Sequence, residues 1–280
     1  MGAAALFARL ALTGAAPIAI AASRLTIAAL LLGVVALFRP QRTDVNRPQA
    51  VTLACAGAAL ALHFASWIAS LEYTSVAIST LLVSTTPMWT ALYDALFART
   101  PLPRPALIAF LAGAIGLVAI VRYDTTAPPH PGHELIGAAL ALTGAIAFAA
   151  YLTFVRHVRD DLGTRTIVTH TYAWAAMALI AVSACLHQAP PPPGATVAWA
   201  GILAMALVSQ LLGHTAINAS LRWFTSSTVA FTGLMEPLSA AVLALVFFGE
   251  AIPPLALIGG VVLLASIGIV LWTDPKRVLD

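Results

Sequence analysis

The chain has 280 residues, of which 60% are hydrophobic and 9% charged, with a mean hydropathy of +0.93 and a formal net charge of +3. Soluble domains carry roughly a quarter charged residues, so a soluble enzyme, a nucleic-acid-binding protein and a disordered regulator are excluded for the chain as a whole. A bilayer-crossing helix needs about 20 apolar residues, and this length accommodates ten of them. We therefore expect an all-α polytopic membrane protein, with the lipid bilayer as a partner and no nucleic acid.

Apolar runs and polar breaks predict ten spans. The first, Gly2 to Leu12, is too short to cross a bilayer alone, and we expect a truncated helix. No cleavable signal peptide is recognisable before it. The other nine predicted spans are Pro17 to Phe38, Gln49 to Leu71, Thr74 to Ala98, Pro105 to Val121, Glu134 to Val155, Thr166 to His187, Thr196 to Ser220, Thr225 to Phe248 and Leu255 to Trp272.

The basic residues of the loops predict the orientation, because Lys and Arg accumulate in short cytoplasmic loops. If the chain starts inside, the outer loops hold only Arg122. We therefore expect a multi-pass protein of a bacterial cytoplasmic (inner) membrane with both termini in the cytoplasm. The inner loops and the C-terminal tail would then hold Arg39, Arg42, Arg47, Arg99, Arg104, Arg156, Arg159, Arg165, Arg222, Lys276 and Arg277.

The two halves of the chain resemble each other. Shifting the sequence by 150 residues without gaps aligns Pro87 with Pro237, and Ala106 to Ile108 with Ala256 to Ile258. Each half holds five spans, an odd number, so the second copy would cross the membrane upside down. We predict one repeat over residues 1–122, an outer linker over 123–133, and an inverted repeat over 134–280, arranged around a central cavity near the midplane.

The two aligned prolines interrupt corresponding spans. Pro87 and Pro237 would free the carbonyls of Val83 and Gly233, four residues earlier. In a bilayer such a carbonyl needs a partner or a water-lined cavity. We predict kinks that act in gating, with Ser84 beside the cavity. The alternative is a packing kink whose carbonyl bonds to one of the neighbouring hydroxyls of Ser84, Thr85 and Thr86.

Three spans carry polar or aromatic side chains every four residues, a spacing that places them on one helical face. Because polar groups in lipid are costly, we expect these faces to line the cavity. Hydrogen-bonded packing is the alternative for each histidine. The seventh span has a comparable row of Thr166, His170 and Trp174. The three preferred faces are His63 with Trp67, Gln210 with His214 and Asn218, and Thr232 with Glu236.

Two charges lie within spans at similar depth. An unpaired charge at the membrane centre costs about 2.5–3.5 kcal/mol, so we expect Arg24 and Glu236 to have an ion pair or a water-filled pocket. The alternative ties each to nearby helix ends or hydroxyls. We predict that Arg24 is a structural charge and that Glu236 attracts a substrate amino group or carries a coupling proton. Aromatic residues inside spans, Trp89, Tyr93 and Tyr151, are further candidates to line the cavity, with plain packing as the alternative.

Several short motifs resemble the EamA-type branch of the drug/metabolite transporter superfamily and, more loosely, its YddG-like amino-acid exporters. They are the stretch from Pro17 through Arg24 and Ala28 to Leu32, Leu71 with Tyr73 to Ser75 and Ala77, Pro87, and Glu236, Pro237, Gly249 and Glu250. The resemblance implies ten helices in two inverted repeats, with spans 1, 3, 4, 6, 8 and 9 around the cavity. The chain departs from the pattern at Thr100, where the first repeat often has a Glu, and in its short first span.

These expectations converge on a secondary transporter that exports small metabolites, with neutral or aromatic amino acids as the expected substrates. No cofactor or metal site is expected, and the protein could be a monomer or a homodimer. Export of cationic compounds, favoured by Glu236 and the aromatic residues, remains the alternative. An intramembrane enzyme is a weaker one, because no HExxH, GxSxG or paired-carboxylate pattern occurs in the sequence.

Overall fold

A computed structural model of the protein describes residues 2–38, 45–97, 103–122, 132–220, 235–250 and 253–272. Regular structure within these ranges is helical throughout. In chain order the helices are α1 (Ala4–Ala11), α2 (Pro17–Phe38), α3 (Arg47–Ser70), α4 (Val76–Val83), α5 (Thr86–Phe97), α6 (Arg104–Arg122), α7 (Glu134–Val158), α8 (Thr164–Cys185), α9 (Thr196–Ala204), a π-helical segment (Met205–His214), α10 (Thr215–Ser220), α11 (Met235–Phe248) and α12 (Pro254–Trp272).

Seven helical stretches in the described residues are long and apolar enough to cross a bilayer. Two of these are composite: Val76–Phe97 combines α4 and α5, and Thr196–Ser220 combines α9, the π segment and α10. Shorter apolar helices occur at Arg104–Ala119 and Met235–Phe248. Where the structure describes them, helix ends lie within about three residues of the predicted spans. The prediction of an all-α polytopic membrane protein is confirmed.

Local sequence signals explain several helix ends. Asn46 and Gln49 form a capping box at the start of α3, in which each side chain accepts a hydrogen bond from the other residue's backbone N–H. The hydroxyl of Ser75 accepts from the N–H of Ile78 and caps α4. Gly249 follows α11 with φ of 67°, a conformation that glycine adopts without steric cost.

One predicted span has an unexpected internal structure. The sequence predicts a single helix over Thr196–Ser220, but residues Met205–His214 form a π-helix between two α-helical ends. At the end of this segment the N–H of Thr215 donates to the carbonyl of Gln210, five residues earlier. Apolar periodicity does not distinguish the π-helical hydrogen-bond pattern from the α-helical one, which explains why the sequence pattern missed it. Such segments are rare and occur frequently at functional sites.

The helices pack through small residues. Among the described helices the most extensive contacts join α3 to α7 and α6 to α12, followed by α2 with α8, α3 with α8, and α1 with α9. At Gly116 on α6, an added Cβ would lie 2.7 Å from the carbonyl oxygen of Gly259 on α12. Close backbone approach at small residues is typical of membrane helices, because dispersion contacts and not water exclusion hold them together. Large apolar side chains such as Leu37 and Ile108 remain exposed on the outer surface, where lipid would cover them.

Candidate functional site

A fully buried arginine lies between the two halves of the chain. Arg24 on α2 donates from Nη2 to Oε1 of Gln210 on the π segment at 2.7 Å. Its Cζ atom lies 4.0 Å from the ring centroid of Phe64, a cation–π geometry. Its Nη1 lies 3.9 Å from the sulfur of Met205. An amide, an aromatic face and a thioether therefore surround the guanidinium.

Aromatic rings pack beside this arginine. The ring of His63 lies 4.7 Å from those of Phe64 and Phe148, between centroids, and the ring of His214 meets both phenylalanines edge-on at 5.3 and 5.5 Å. Nδ1 of His63 lies 2.9 Å from the carbonyl oxygen of Gly144. Because a carbonyl only accepts, Nδ1 carries the proton of this hydrogen bond. The histidine ring is thereby fixed between α3 and α7.

Hydrogen bonds extend the cluster towards the end of the bundle where α7 ends and α8 begins. Nδ2 of Asn218 donates to the hydroxyl of Tyr151 at 3.2 Å and to the carbonyl of His214 at 2.8 Å. The hydroxyl of Tyr172 on α8 lies 3.5 Å from that of Thr215. All three side chains Tyr151, Tyr172 and Asn218 are buried. We call Arg24, His63, Phe64, Trp67, Phe148, Tyr151, Tyr172, Gln210, His214 and Asn218 the central cluster.

Three buried nitrogen donors of the central cluster make no hydrogen bond within the described part of the chain. They are Nε of Arg24, Nε2 of Gln210 and Nε1 of Trp67. An unsatisfied buried donor carries a desolvation penalty of about 1–3 kcal/mol, and more for a charged group. Most buried polar atoms in folded proteins have a partner, so three unpaired donors in one cluster need an explanation.

The proline break in the first half has a local partner for the freed carbonyl. The hydroxyl of Thr86 donates to the carbonyl of Val83 at 2.8 Å, as in the packing-kink alternative. The hydroxyl of Thr85 donates to Leu82 and accepts from the indole Nε1 of Trp89. Pro87 thus accompanies the interruption between α4 and α5 without leaving the Val83 carbonyl unsatisfied. Whether the kink takes part in gating stays a prediction.

Other predicted cavity residues lie near this break or on the same composite stretch. The hydroxyl of Ser84 donates to the carbonyl of Thr80 at 2.9 Å, within its own helical turn. Tyr93 is half-buried, with its ring 6.0 Å from that of Phe97 near the end of α5. The described contacts of Ser84, Trp89 and Tyr93 are thus local, whereas His63, Trp67, Tyr151, Gln210, His214 and Asn218 come together in the central cluster.

The ninth predicted span is described only from Met235. Glu236 and Pro237 lie in the first turn of α11, and Thr232 and Gly233 lie outside the described residues. Glu236 is half-buried and interacts electrostatically with Arg24. Among the described residues the two charges do not form a direct ion pair. Opposite charges from the two halves therefore lie within electrostatic reach without neutralising each other by contact.

Two ion pairs join the halves at opposite ends of the bundle. At one end, Nη2 of Arg9 on α1 lies 3.4 Å from Oε1 of Glu250, while Oε2 of Glu250 accepts from the N–H of Val76 at 2.9 Å. At the other end, Arg156 on α7 makes a bidentate pair with Asp94 on α5 at 2.9 and 2.8 Å. Both pairs are partly buried, and the bidentate geometry is the stronger arrangement.

A cavity of about 270 Å³ opens at the end that holds the Arg156–Asp94 pair. Its lining includes Val155, Arg159 and Thr164 from the end of α7 and the start of α8, together with Asn218. Asn218 belongs to both this cavity and the central cluster, since it also bonds to Tyr151. The cavity therefore reaches the edge of the cluster from one end of the bundle.

Sequence reasoning missed four members of this environment: Phe64, Phe148, Tyr172 and Met205. The rings of Phe64 and Phe148 carry no polar atom, so a search for polar faces passed over them. Tyr172 comes from α8, the helix of the seventh span, which the family resemblance left outside the cavity wall. Of the polar row on that span, Thr166 is buried and Trp174 is 44% exposed, and none of its members belongs to the central cluster. Buried aromatic residues one turn from a polar residue were the available signal.

Comparisons with known proteins identify the family of the chain. Residues 1–122 and 135–272 match the model of the EamA-like transporter family. The threonine/homoserine exporter RhtA of Escherichia coli strain K12, and the same exporter of strains O6:H1 and O157:H7, are 26% identical to this chain over 255 residues, which covers 89% of this chain and 80% of theirs.

A solved crystal structure that shares 20% sequence identity superposes with a TM-score of 0.64, covering 100% of this chain and 97% of the other, and supports the fold alone. The family is one of transporters, in agreement with the prediction that the chain is not an enzyme. The family match confirms the resemblance seen in the sequence motifs. This chain, a multi-pass membrane protein, belongs to the EamA-like transporter family.

Proposed function

We propose that the protein is a secondary transporter that exports amino acids or similar small metabolites by alternating access. The observation that carries the proposal is the central cluster, a buried group of polar and aromatic side chains contributed by both halves of the chain. Polar and charged side chains inside a membrane bundle mark substrate pathways as a rule. The similarity to an exporter of threonine and homoserine favours amino acids over other metabolites.

The helix contacts support the inverted repeat. If residues 1–122 and 134–280 are inverted copies, α1 corresponds to α7, α3 to the α9–α10 stretch, and α4–α5 to α11. The contact of α3 with α7 then has its counterpart in α1 with α9. The contacts of α2 with α8, α6 with α12 and α4 with α11 each join two corresponding helices, so exchanging the two repeats leaves them unchanged. A ten-span arrangement with two inverted five-span repeats accounts for this symmetry.

The two ion pairs support alternating access. Arg9 and Arg156 belong to the first helices of the two proposed repeats, and Glu250 and Asp94 belong to the fourth span of each or follow it directly. Each pair therefore joins corresponding helices at opposite ends of the bundle. Breaking one pair while keeping the other would open the bundle at one end only. In the first repeat, Thr100 occupies the position that corresponds to Glu250, where the family often has a Glu. Asp94 is the acidic residue that forms the ion pair in this repeat.

The proposed setting is the cytoplasmic membrane of a bacterium, with both termini in the cytoplasm, as the loop charges predict. In this orientation the Arg9–Glu250 pair lies on the outer side and the cavity beside Asn218 opens to the cytoplasm. An exporter loads its substrate from the cytoplasm, which fits a cavity at that end. Export of cationic compounds is the second candidate, favoured by the half-buried Glu236 and the aromatic rings of the cluster.

Transport by purified protein in sealed liposomes tests the proposal. Uptake of labelled threonine and homoserine is measured beside a quaternary ammonium dye, with and without a pH gradient, and empty liposomes serve as the control. Saturable transport of the amino acids, inhibited by the unlabelled compounds, is the expected result. Transport of the dye alone supports the second candidate and contradicts the first. A rate equal to that of empty liposomes for all three compounds contradicts the proposed function.

A further inference from the structure

We propose that Arg24 and Gln210 bind the carboxylate of the transported amino acid, so that this pair selects α-amino acids over the corresponding amines. The inference rests on the proposed function and adds a ligand group to it. Arg24 thereby becomes a substrate contact in addition to the structural charge that the sequence predicts.

The unpaired atoms of Arg24 and Gln210 indicate the chemistry of the ligand. Each side chain of the pair already uses part of its hydrogen-bonding capacity on the other, since Nη2 of Arg24 donates to Oε1 of Gln210. Nε of Arg24 and Nε2 of Gln210, both donors, have no hydrogen bond of good geometry among the described residues, although the Gln210 side chain also lies near the hydroxyl of Tyr172. A ligand that satisfies them has to bring acceptors. A carboxylate offers two oxygens with about four lone-pair sites and no donor, which matches two N–H groups from neighbouring side chains.

The charge of the groups around Arg24 also favours an anionic ligand. The groups in direct contact with Arg24 are neutral: an amide oxygen, an aromatic face and a thioether sulfur. Its interaction with Glu236 acts without a direct ion pair in the described residues. A ligand with a negative group would supply the counter-charge that these neutral contacts of Arg24 lack. The carboxylate of an amino acid is such a group, and the corresponding amine lacks it.

The backbone that carries Gln210 is π-helical. The π segment places Gln210 and His214 against Arg24 and Phe64, and its hydrogen-bond pattern differs from that of the flanking α-helices. A π turn and an α turn differ in rotation and rise, so a conversion between them would change the position of Gln210, which lies within the segment, relative to Arg24. The pair is fully buried in this structure, so a carboxylate reaches it only after a movement of this kind or a separation of α2 from the π segment.

The test compares threonine with 1-aminopropan-2-ol, the amine that remains when its carboxylate is removed. A charge-assisted hydrogen bond corresponds to roughly a 10- to 100-fold change in an equilibrium or rate constant. In the liposome assay, wild-type protein is expected to transport threonine at least about tenfold faster than the amine. The same order is expected when each compound competes with labelled homoserine. Equal transport of acid and amine by wild-type protein overturns the inference without any variant.

Gln210→Glu is the decisive variant because it keeps Oε1 for Arg24 and replaces the unpaired donor by an acceptor. If Gln210 only positions Arg24, this variant stays active, since an ion pair replaces the existing hydrogen bond. If Gln210 binds the carboxylate, we expect threonine transport to fall at least about tenfold while amine transport stays within about threefold. Threonine transport within about threefold of wild type, or an equal loss for both compounds, overturns the inference.

Leu212→Met is the matched control, since Leu212 lies in the same π segment but is 68% exposed, and it should leave the ratio of acid to amine transport unchanged. Arg24→Gln provides a second variant and should lose the preference for the acid. Each variant is first checked for wild-type elution from a sizing column. Failure of wild-type protein to transport any amino acid contradicts the proposed function itself. If wild-type protein transports threonine and the amine at equal rates, only the carboxylate site is contradicted.

Discussion

Gly57 on α3 makes a close interhelical approach that a single methyl group can probe. An added Cβ would clash with Cβ of Trp174 and would lie 3.0 Å from the carbonyl oxygen of Thr171 and 3.1 Å from the N atom of Ala175, all on α8. Two of these three atoms belong to backbone and the third is the first atom of a side chain, so rotamer changes relieve none of the contacts. Gly57→Ala therefore has to push α3 and α8 apart.

The size of the effect follows from two opposing terms. Alanine gains up to about 1 kcal/mol over glycine in a helix interior, and overpacking a core by one methyl group costs about 1–3 kcal/mol. We expect a net destabilisation of about 1–2 kcal/mol. Gly33 on α2 is the matched control, because an added Cβ there meets no atom within 4 Å. Gly33→Ala keeps the helical gain without the clash and should be neutral or slightly stabilising.

Thermal unfolding of both variants in detergent, at one scan rate, measures the difference. For a chain of this size 1 kcal/mol corresponds to about 2–4 °C in Tm, so Gly57→Ala should unfold roughly 2–8 °C below wild type. Gly33→Ala should unfold at or slightly above the wild-type temperature. A Tm for Gly57→Ala at or above that of Gly33→Ala would refute the close packing of α3 against α8.

Two further predictions concern a hydrogen bond at the proline break within the span Val76–Phe97 and an ion pair near one end of the bundle. Thr86→Val removes the hydroxyl that satisfies the Val83 carbonyl and should lower stability by about 1–2 kcal/mol in the same unfolding assay, whereas Thr90→Val should change it little. Equal Tm values for the two variants would contradict the role of Thr86. Asp94→Asn should cost about 1 kcal/mol, because its bidentate pair with Arg156 is partly buried. Exchanging the two charges should restore part of that loss, and a charge-exchanged protein no more stable than Asp94→Asn would argue against the pair.

The positions of the helices could be predicted from the sequence because membrane spans are set by length and hydropathy. The predicted span Pro17 to Phe38 coincides with α2, and the polar loop that contains Asn46 marks the start of α3. These signals are local and strong in a chain where nearly every polar break is a loop. The interruption near Pro87 was also predictable, since proline cannot donate the hydrogen bond that an α-helix requires.

The site was predictable only in part. Spacing every four residues found Gln210, His214 and Asn218, although the first two lie in a π segment where this spacing does not define one face. The contact of Arg24 with Gln210 joins residues far apart in the sequence. The polar pattern of one helix does not indicate which residue of another helix it contacts. Tyr172 was missed because the polar row recognised on its helix, which consists of Thr166, His170 and Trp174, does not include it. Contacts of this kind depend on the rotation of each helix about its axis, and hydropathy does not determine that rotation.

Alternating access means that water and substrate reach the central cluster from the two sides of the membrane in turn. His214→Cys, in a protein whose exposed Cys55 and Cys185 are replaced by alanine, places a thiol in the cluster. Leu212→Cys is the control, since Leu212 is 68% exposed on the apolar surface of the bundle. A membrane-impermeant maleimide is added to either side of sealed vesicles, with and without threonine.

We expect the thiol at position 214 to react from both sides, to be protected by threonine, and to react faster than the thiol at position 212. Absence of labelling at position 214 from both sides, in protein that labels fully after denaturation, would contradict alternating access to the cluster.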